Sequence, residues 1–182
     1  MRILLINTSV HKNGTGAMAL GRVAAILASH GLDTELHTVS EYLSTGCTAC
    51  RACHSGGGCR FGDITELSES FRTSAGLIVS APVYYGSPSG SAISLLDRLF
   101  QSSRFDKRMK VGAAIVTARR GGCTASLDVL NKYFSISEMP IATSSYWNLV
   151  HTGDDPEGIA TLERLAENFA TLVHAIATST HP

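Results

Sequence analysis

Short apolar runs alternate with amphipathic segments along most of this 182-residue chain. Runs such as 3–6 and 77–79 are typical of buried strands, whereas segments such as 92–100 repeat apolar residues at the spacing of a helix. The pattern predicts strands at residues 2–7, 34–39, 76–81, 111–117 and 141–146. Five strands that alternate with helices predict an α/β fold, in which a mostly parallel sheet is covered on both faces.

Two predicted helices have recognisable starts. Asp63 precedes an apolar-periodic segment and is followed three residues later by Glu66, which predicts that Asp63 caps this helix. Asp155 and Pro156 predict the start of the last helix, because proline is favoured in the first helical turn.

Length and charge exclude several classes of protein. The chain has the length of about one domain, covering residues 1–182. Its 15 basic and 15 acidic residues balance, so the electrostatic footprint of a nucleic-acid-binding protein is missing. Charged residues make up only 16%, against about 25% in typical proteins. We therefore expect part of the surface to be covered in an oligomer.

The expected location is the cytoplasm, without membrane contact. No apolar run reaches the roughly 18 residues of a membrane span, and the apolar start at 3–6 is too short for a signal peptide. In that compartment, five cysteines indicate metal or redox chemistry rather than a disulfide framework.

The unusual segments of the chain all follow predicted strands. They are residues 8–16, the cysteine-rich segment within 40–62, residues 82–87 and residues 119–122. Because loops that follow parallel strands lie at the same edge of a sheet, we expect these four segments to line one ligand site.

The first segment, residues 8–16, places hydroxyls and flexible backbone directly before a helix. The unpaired N–H groups and partial positive charge of a helix N-terminus suit a phosphate group. An ordinary polar connection is the alternative. Residues 14–19 also satisfy the loose pattern G-x-G-x-x-A, but they lie too far beyond the strand for a dinucleotide-binding turn.

Two later segments suit a flat polar ring. Residues 82–87 combine a rigid proline with two tyrosines and backbone amides, and residues 117–122 combine two arginines with two glycines. Either arginine could favour a reduced, anionic ring. The alternatives are a surface turn with packed tyrosines and a solvated pair of charges.

In this order along the chain, the three segments resemble the FMN-binding segments of the NADPH-dependent FMN reductase-type flavoproteins. That flavodoxin-like group includes quinone-reducing flavodoxins and iron–sulfur flavoproteins. The resemblance covers nearly the whole chain and implies a doubly wound, flavodoxin-like fold with FMN bound non-covalently. It also implies a homodimer or homotetramer. The residues implied to contact FMN are Ser9, His11, Asn13, Thr15, Gly16, Ala17, Pro82, Val83, Tyr84, Tyr85, Gly86, Thr117, Arg119, Arg120, Gly121 and Gly122.

Two positions depart from the family pattern. Many relatives have arginine or lysine where His11 stands, and a hydroxyl residue where Gly16 stands. Phosphate binding is then either weaker here or carried by Ser9, Asn13 and Thr15 with the helix amides.

Four cysteines lie within thirteen residues, separated by two, two and five positions: Cys47, Cys50, Cys53 and Cys59. This spacing approximates a bacterial iron–sulfur run, and the resemblance to iron–sulfur flavoproteins implies a [4Fe–4S] cluster on these four. The residues leave open a zinc site with His54 as a substitute ligand, reversible disulfides, or cysteines retained without a cluster. Cys123 lies apart and is expected to be a small buried residue.

The resemblance implies an oxidoreductase. Its flavin would take electrons from NAD(P)H and pass them to a quinone, a free flavin or another small acceptor, since flavin itself performs the chemistry. The alternative is an electron carrier of the iron–sulfur flavoprotein type that receives electrons from a ferredoxin-like protein. A non-catalytic redox-sensing or zinc-stabilised protein is the third hypothesis.

Overall fold

A computed structural model describes residues 1–179, and the last three residues of the predicted domain lie outside it. The strands are β1 (Arg2–Asn7), β2 (Asp33–Thr38), β3 (Gly76–Tyr84), β4 (Ser87–Pro88), β5 (Val111–Thr117) and β6 (Leu149–Val150). The helices are α1 (Thr15–Ser29), α2 (Thr65–Thr73), α3 (Gly90–Ser102), α4 (Cys123–Ile136) and α5 (Pro156–Ser179). Two short 3₁₀ turns, Val39–Glu41 and Ala52–Ser55, lie between β2 and α2.

The sheet has the order β2-β1-β3-β5-β6, and each neighbouring pair in this order is parallel. Only the two-residue β4 is antiparallel, and it pairs with β3 outside this path. Strand β2 lies on one side of β1, and the chain then crosses to the other side of β1, where β3, β5 and β6 follow in order. The strand order therefore reverses between β1 and β3, where ligands bind in doubly wound folds. The predicted α/β fold with a parallel sheet is confirmed.

Two hydrophobic cores lie on opposite faces of the sheet. In β1, Ile3 and Leu5 pack with α1 and α5, whereas Leu4 and Ile6 pack with α2, α3 and α4. This alternation follows from the two-residue repeat of a strand. An apolar run without polar interruption is what a strand covered on both faces requires.

The position predicted for the fifth strand, residues 141–146, is wrong. Ile141 forms only an isolated bridge to Gly112, and the parallel pairing with β5 occurs at Leu149–Val150. Between them, the Asn148 side chain donates to the Ala114 carbonyl at 3.1 Å, and Ser144 Oγ donates to Asn148 Oδ1 at 2.7 Å. Side-chain hydrogen bonds thus replace the backbone ladder in this segment.

The predicted cap at Asp63 is also wrong, because α2 begins after Ile64 without a side-chain cap. The Asp63 carboxylate instead accepts hydrogen bonds from Arg98 and from the Leu43 backbone. The start predicted for the last helix is confirmed at Pro156, with Asp155 Oδ1 accepting from the Gly158 amide at 3.0 Å.

Across residues 1–179, none of the helices has the length and apolarity that crossing a membrane requires.

Candidate flavin site

The ends of the central strands lie side by side at one edge of the sheet. Asn7 in β1 is opposite Ser80 in β3, and Thr117 in β5 is opposite both Pro82 and Val150. The segments that follow β1, β3 and β5 therefore start next to one another. This arrangement is the one expected from parallel strand order.

The first segment is anchored across the point where strand order reverses. Both the backbone N–H and the hydroxyl of Thr8 donate to the Ser80 carbonyl, at 2.9 and 2.8 Å. Ser91 Oγ, near the start of α3, donates to the Thr8 carbonyl at 3.2 Å. These contacts fix the first segment against β3 and the residues that follow it.

Ser9 is the inward-facing hydroxyl of this segment. It is buried, its backbone N–H donates to Asn7 Oδ1 at 3.1 Å, and its Oγ accepts from the His11 amide at 3.1 Å. The hydroxyl hydrogen of Ser9 takes no part in these two bonds. His11 and Asn13, in contrast, are exposed at the outside of the turn.

Helix α1 begins beside Ser9 with unsatisfied donors. Gly14 precedes the helix, offers no side-chain cap, and the first turn contains no acidic residue. The first helical bond runs from the Met18 amide to the Gly14 carbonyl, at 3.1 Å. The amides of residues 15–17 therefore have no partner within the helix, and they point outward at the positively polarised end of its dipole. This geometry fits a phosphate group.

Gly16 and Ser80 pack closely below that helix end. A Cβ atom on residue 16 would lie 2.8 Å from Ser80 Oγ and 3.4 Å from Asn7 Oδ1. Ser80 Oγ is itself buried without a hydrogen-bond partner in the described structure. An unsatisfied buried hydroxyl is costly, so it also fits a polar ligand. Ser80 is not among the predicted site residues, although a serine that interrupts the apolar run 77–81 is a signal for it.

The second segment is a tight hairpin between β3 and β4. Its two turn residues, Tyr85 and Gly86, have φ values of 51° and 79°, which is the pattern of a type I′ turn. Tyr84 is half exposed and Tyr85 is fully exposed. The turn lies at the surface, and its tyrosines are accessible rather than packed.

The third segment packs directly on this hairpin. Gly122, at φ 90°, comes so close that a Cβ there would lie 2.6 Å from the Gly86 Cα and 2.9 Å from Val83 Cγ1. Arg119 and Arg120 precede it and are exposed. The two segments predicted to hold a ring thus form one continuous surface with two cationic side chains beside it.

His151, which follows β6, also reaches the third segment. Its Nδ1 lies 2.7 Å from the Ala118 carbonyl, and its backbone N–H donates to Asp155 Oδ2 at 2.9 Å. Because a carbonyl only accepts, this contact places the ring proton on Nδ1. Backbone N–H donors from Gly158 and His151 hold the pKa of Asp155 below its ordinary value.

The four predicted metal ligands line one cavity, and that lining includes no residue of the three segments above. Cys47 and Cys50 are exposed, Cys59 is half-buried, and Cys53 is buried, with its Sγ 3.5 Å from the Gln101 carbonyl. A hydrogen bond from the Ala52 amide lowers the pKa of the Cys50 thiol. Cys123 is buried elsewhere, at the start of α4, as expected.

The thiols do not converge on a single point in the structure. Zinc requires its ligand atoms to converge within about 2.0–2.3 Å of one ion. Nowhere in residues 1–179 do three His, Cys, Asp or Glu side chains gather in this way. The four cysteines share the lining of one cavity instead.

A buried ion pair joins the two ends of the cysteine segment. Arg98 Nη1 lies 2.6 Å from Asp63 Oδ1, and Arg98 Nη2 lies 3.0 Å from Asp63 Oδ2. The backbone of Leu43 completes the pair, since its N–H donates to Asp63 and its carbonyl accepts from Arg98, both at 2.9 Å. Burial raises the pKa of Asp63, but the bonds from Arg98 and Leu43 outweigh it and lower that pKa.

Sequence reasoning did not identify Arg98. The available signal was a cation three residues after Leu95, on the apolar face of α3.

Solved structures that resemble this chain show the fold alone. An archaeal flavodoxin matches with a TM-score of 0.68 and 11% identity, covering 96% of this chain and 99% of that one.

Relatives of known name match over most of their length. The chain is 26% identical to an iron–sulfur flavoprotein of Methanosarcina thermophila, with 97% of each chain covered. It is also 26% identical to an iron–sulfur flavoprotein of Methanocaldococcus jannaschii, with 76% of this chain and 74% of that one covered. The model of the NADPH-dependent FMN reductase family matches residues 1–154. With a flavodoxin-like sheet and a family match over most of its length, the chain belongs to the NADPH-dependent FMN reductase family.

Proposed function

We propose that this chain is an FMN-dependent oxidoreductase that oxidises NAD(P)H and passes the electrons to a quinone, a free flavin or a similar small acceptor. The observation that carries the proposal is the meeting of three segments where strand order reverses. An uncapped helix end lies in the first segment, and the second and third segments touch at Gly86 and Gly122.

The phosphate of FMN would be held at the start of α1. The amides of residues 15–17 supply donors aligned with the helix dipole, and the buried Ser9 hydroxyl supplies one more. Hydrogen bonds to an ionised phosphate are roughly twice as strong as neutral ones. His11 and Asn13 lie at the outer side of the turn, where they would act as exposed contacts only.

The flavin ring would lie against the surface formed by the hairpin and the third segment. Backbone groups at Gly86 and Gly122 come close together there because neither residue has a side chain. When bound, FMN supplies the reversible uptake of hydride and the release of one or two electrons. Arg119 and Arg120 place positive charge beside this surface, which would favour the anionic reduced ring.

The test is an activity assay with defined flavin content. Full-length protein is loaded with FMN, freed of excess flavin, and mixed with NADH or NADPH and with a benzoquinone or free FMN as acceptor. We expect nucleotide oxidation that requires both bound FMN and an acceptor. If loaded protein oxidises neither nucleotide with either acceptor, the proposal is wrong.

A second candidate function is supported by the four cysteines that line one cavity. The chain would then be an electron carrier whose [4Fe–4S] cluster passes electrons between a ferredoxin-like protein and FMN. The relatives named iron–sulfur flavoproteins support this candidate. Anaerobic protein supplied with iron and sulfide should gain a broad visible absorbance that bleaches on reduction, and colourless iron-free protein would exclude it.

A further inference from the structure

The cavity lined by the cysteines is cationic. Arg51, Arg60, Arg98 and His54 contribute to its lining, whereas no carboxylate of residues 1–179 does so. Of the arginines, Arg51 and Arg60 are exposed and Arg98 is 1% exposed. A group made of thiolates, iron and sulfide carries net negative charge, so the lining is electrostatically complementary to it.

Arg98 is held in this cavity by partners on both sides of the cysteine segment. Leu43 precedes Cys47 and Asp63 follows Cys59, and both bind the Arg98 guanidinium. These contacts occupy Nη1 and Nη2. The Phe61 ring covers the guanidinium, with its centroid 5.6 Å from Arg98 Cζ. The orientation of Arg98 is therefore fixed before any ligand binds.

The remaining guanidinium nitrogen has no partner. Arg98 Nε is buried and makes no hydrogen bond in the described structure. Arg98 and Cys59, one of the four cysteines, both contribute to the lining of this cavity. A buried charged donor left without an acceptor costs more than a neutral one, so this N–H of a cavity-lining residue indicates a missing acceptor.

We propose that Arg98 is a positioning residue for an anionic iron–sulfur group in this cavity, donating from Nε to a sulfur and raising the group's reduction potential. This inference rests on the second candidate function. Reduction adds one electron and makes the group more negative. The charge of Arg98 is paired with Asp63, so its effect on the reduced state comes from a hydrogen bond from the fixed Nε to sulfur, and such bonds are among the factors that set these potentials.

The test measures two midpoint potentials in one sample. Wild-type protein and the variants Arg98→Lys, Arg98→Gln and Arg60→Gln are supplied anaerobically with FMN, iron and sulfide. Dye-equilibrated titration then follows the flavin bands and the iron–sulfur absorbance separately. Arg60→Gln is the matched control, because it removes a cation from the same lining at an exposed and therefore screened position.

We expect the iron–sulfur potential to become more negative in both Arg98 variants, more in Arg98→Gln, and to move less in Arg60→Gln. Arg98→Lys keeps the charge but loses the Nε donor, so it decides the question if Arg98→Gln does not fold. A folded Arg98→Lys protein with the wild-type potential would overturn the proposal, even if its melting temperature falls. Wild-type protein that takes up FMN but no iron would also overturn it, while leaving the flavin function intact.

Discussion

Gly122 approaches Gly86 so closely that a methyl group on Gly122 would lie 2.6 Å from the Gly86 Cα. This contact joins the segment after β5 to the hairpin after β3. Both residues have positive φ, so a side chain at either position would also strain the backbone. The continuity of the ring-side surface therefore depends on two glycines from different parts of the chain.

Gly122→Ala should separate these two segments. We expect the free energy of unfolding to fall by about 1–3 kcal/mol, because overpacking and left-handed strain add together, and FMN affinity to fall with it. Gly90→Ala is the matched control, since a Cβ there meets nothing within 4 Å and Gly90 is not among the residues implied to contact FMN. Urea unfolding and FMN titration of both variants check the prediction. Equal effects at the two positions would contradict it.

Ser9→Ala should weaken FMN binding without affecting riboflavin. Loss of one hydrogen bond to a charged group costs about 1.5–3 kcal/mol, which corresponds to roughly 10–100-fold in affinity. Riboflavin has no phosphate, so its affinity should not change. Ser29→Ala, at the other end of α1, is the control. Fluorescence titration with both flavins is the measurement, and an equal loss for both would show that Ser9 does not bind the phosphate.

Arg98→Ala should destabilise the fold far more than removal of an exposed cation. Arg98 is 1% exposed and paired with Asp63, and loss of one partner of a buried pair costs about 3–5 kcal/mol. Arg72 pairs with Glu69 at the surface, where solvent screening leaves such pairs little effect on stability. Chemical unfolding of Arg98→Ala and Arg72→Ala compares the two. Similar losses would contradict the structural role assigned to Arg98.

The contribution of Asp155 should depend on pH. Its pKa is lowered in the folded state by the Gly158 and His151 amides, so its stabilising effect is complete above the ordinary value of 3.8. The effect is lost as the pH falls through the lower, folded-state pKa. Asp155→Ala should cost about 1 kcal/mol at neutral pH, as for other helix caps.

The difference in unfolding free energy between wild type and Asp155→Ala should then narrow below pH 3.8. Urea unfolding at pH 7, 5 and 3 gives this difference. A gap of constant size across the three values would contradict the assignment of Asp155 as an ionised cap.

Much of the fold could be predicted because the central strands are buried on both faces and so form short apolar runs. Residues 111–117 were predicted with the bounds of β5. The fifth parallel strand was predicted at the wrong residues because side-chain hydrogen bonds of Asn148 and Ser144 replace the backbone hydrogen bonds of a regular strand in this segment. Such long-range side-chain bonds leave no periodic signal in the sequence.

The parts of the candidate site that are formed by residues close together in sequence could be predicted. Contacts between residues far apart in sequence could not. Ser9 and the start of α1 are neighbours in sequence, so the turn and helix could be recognised together. The contacts of Gly16 with Ser80 and of Arg98 with Leu43 join residues that are far apart along the chain. They depend on strand order and on the path of the cysteine segment, which residue spacing does not determine.

The most direct test of the account is equilibrium binding of flavins to the full-length, flavin-free protein. We predict one FMN per chain and an affinity for riboflavin at least about tenfold weaker, since the phosphate adds at least one charge-assisted hydrogen bond. Equal affinity for FMN and riboflavin would contradict a phosphate site at the start of α1. No binding of FMN at millimolar concentration would contradict the account as a whole.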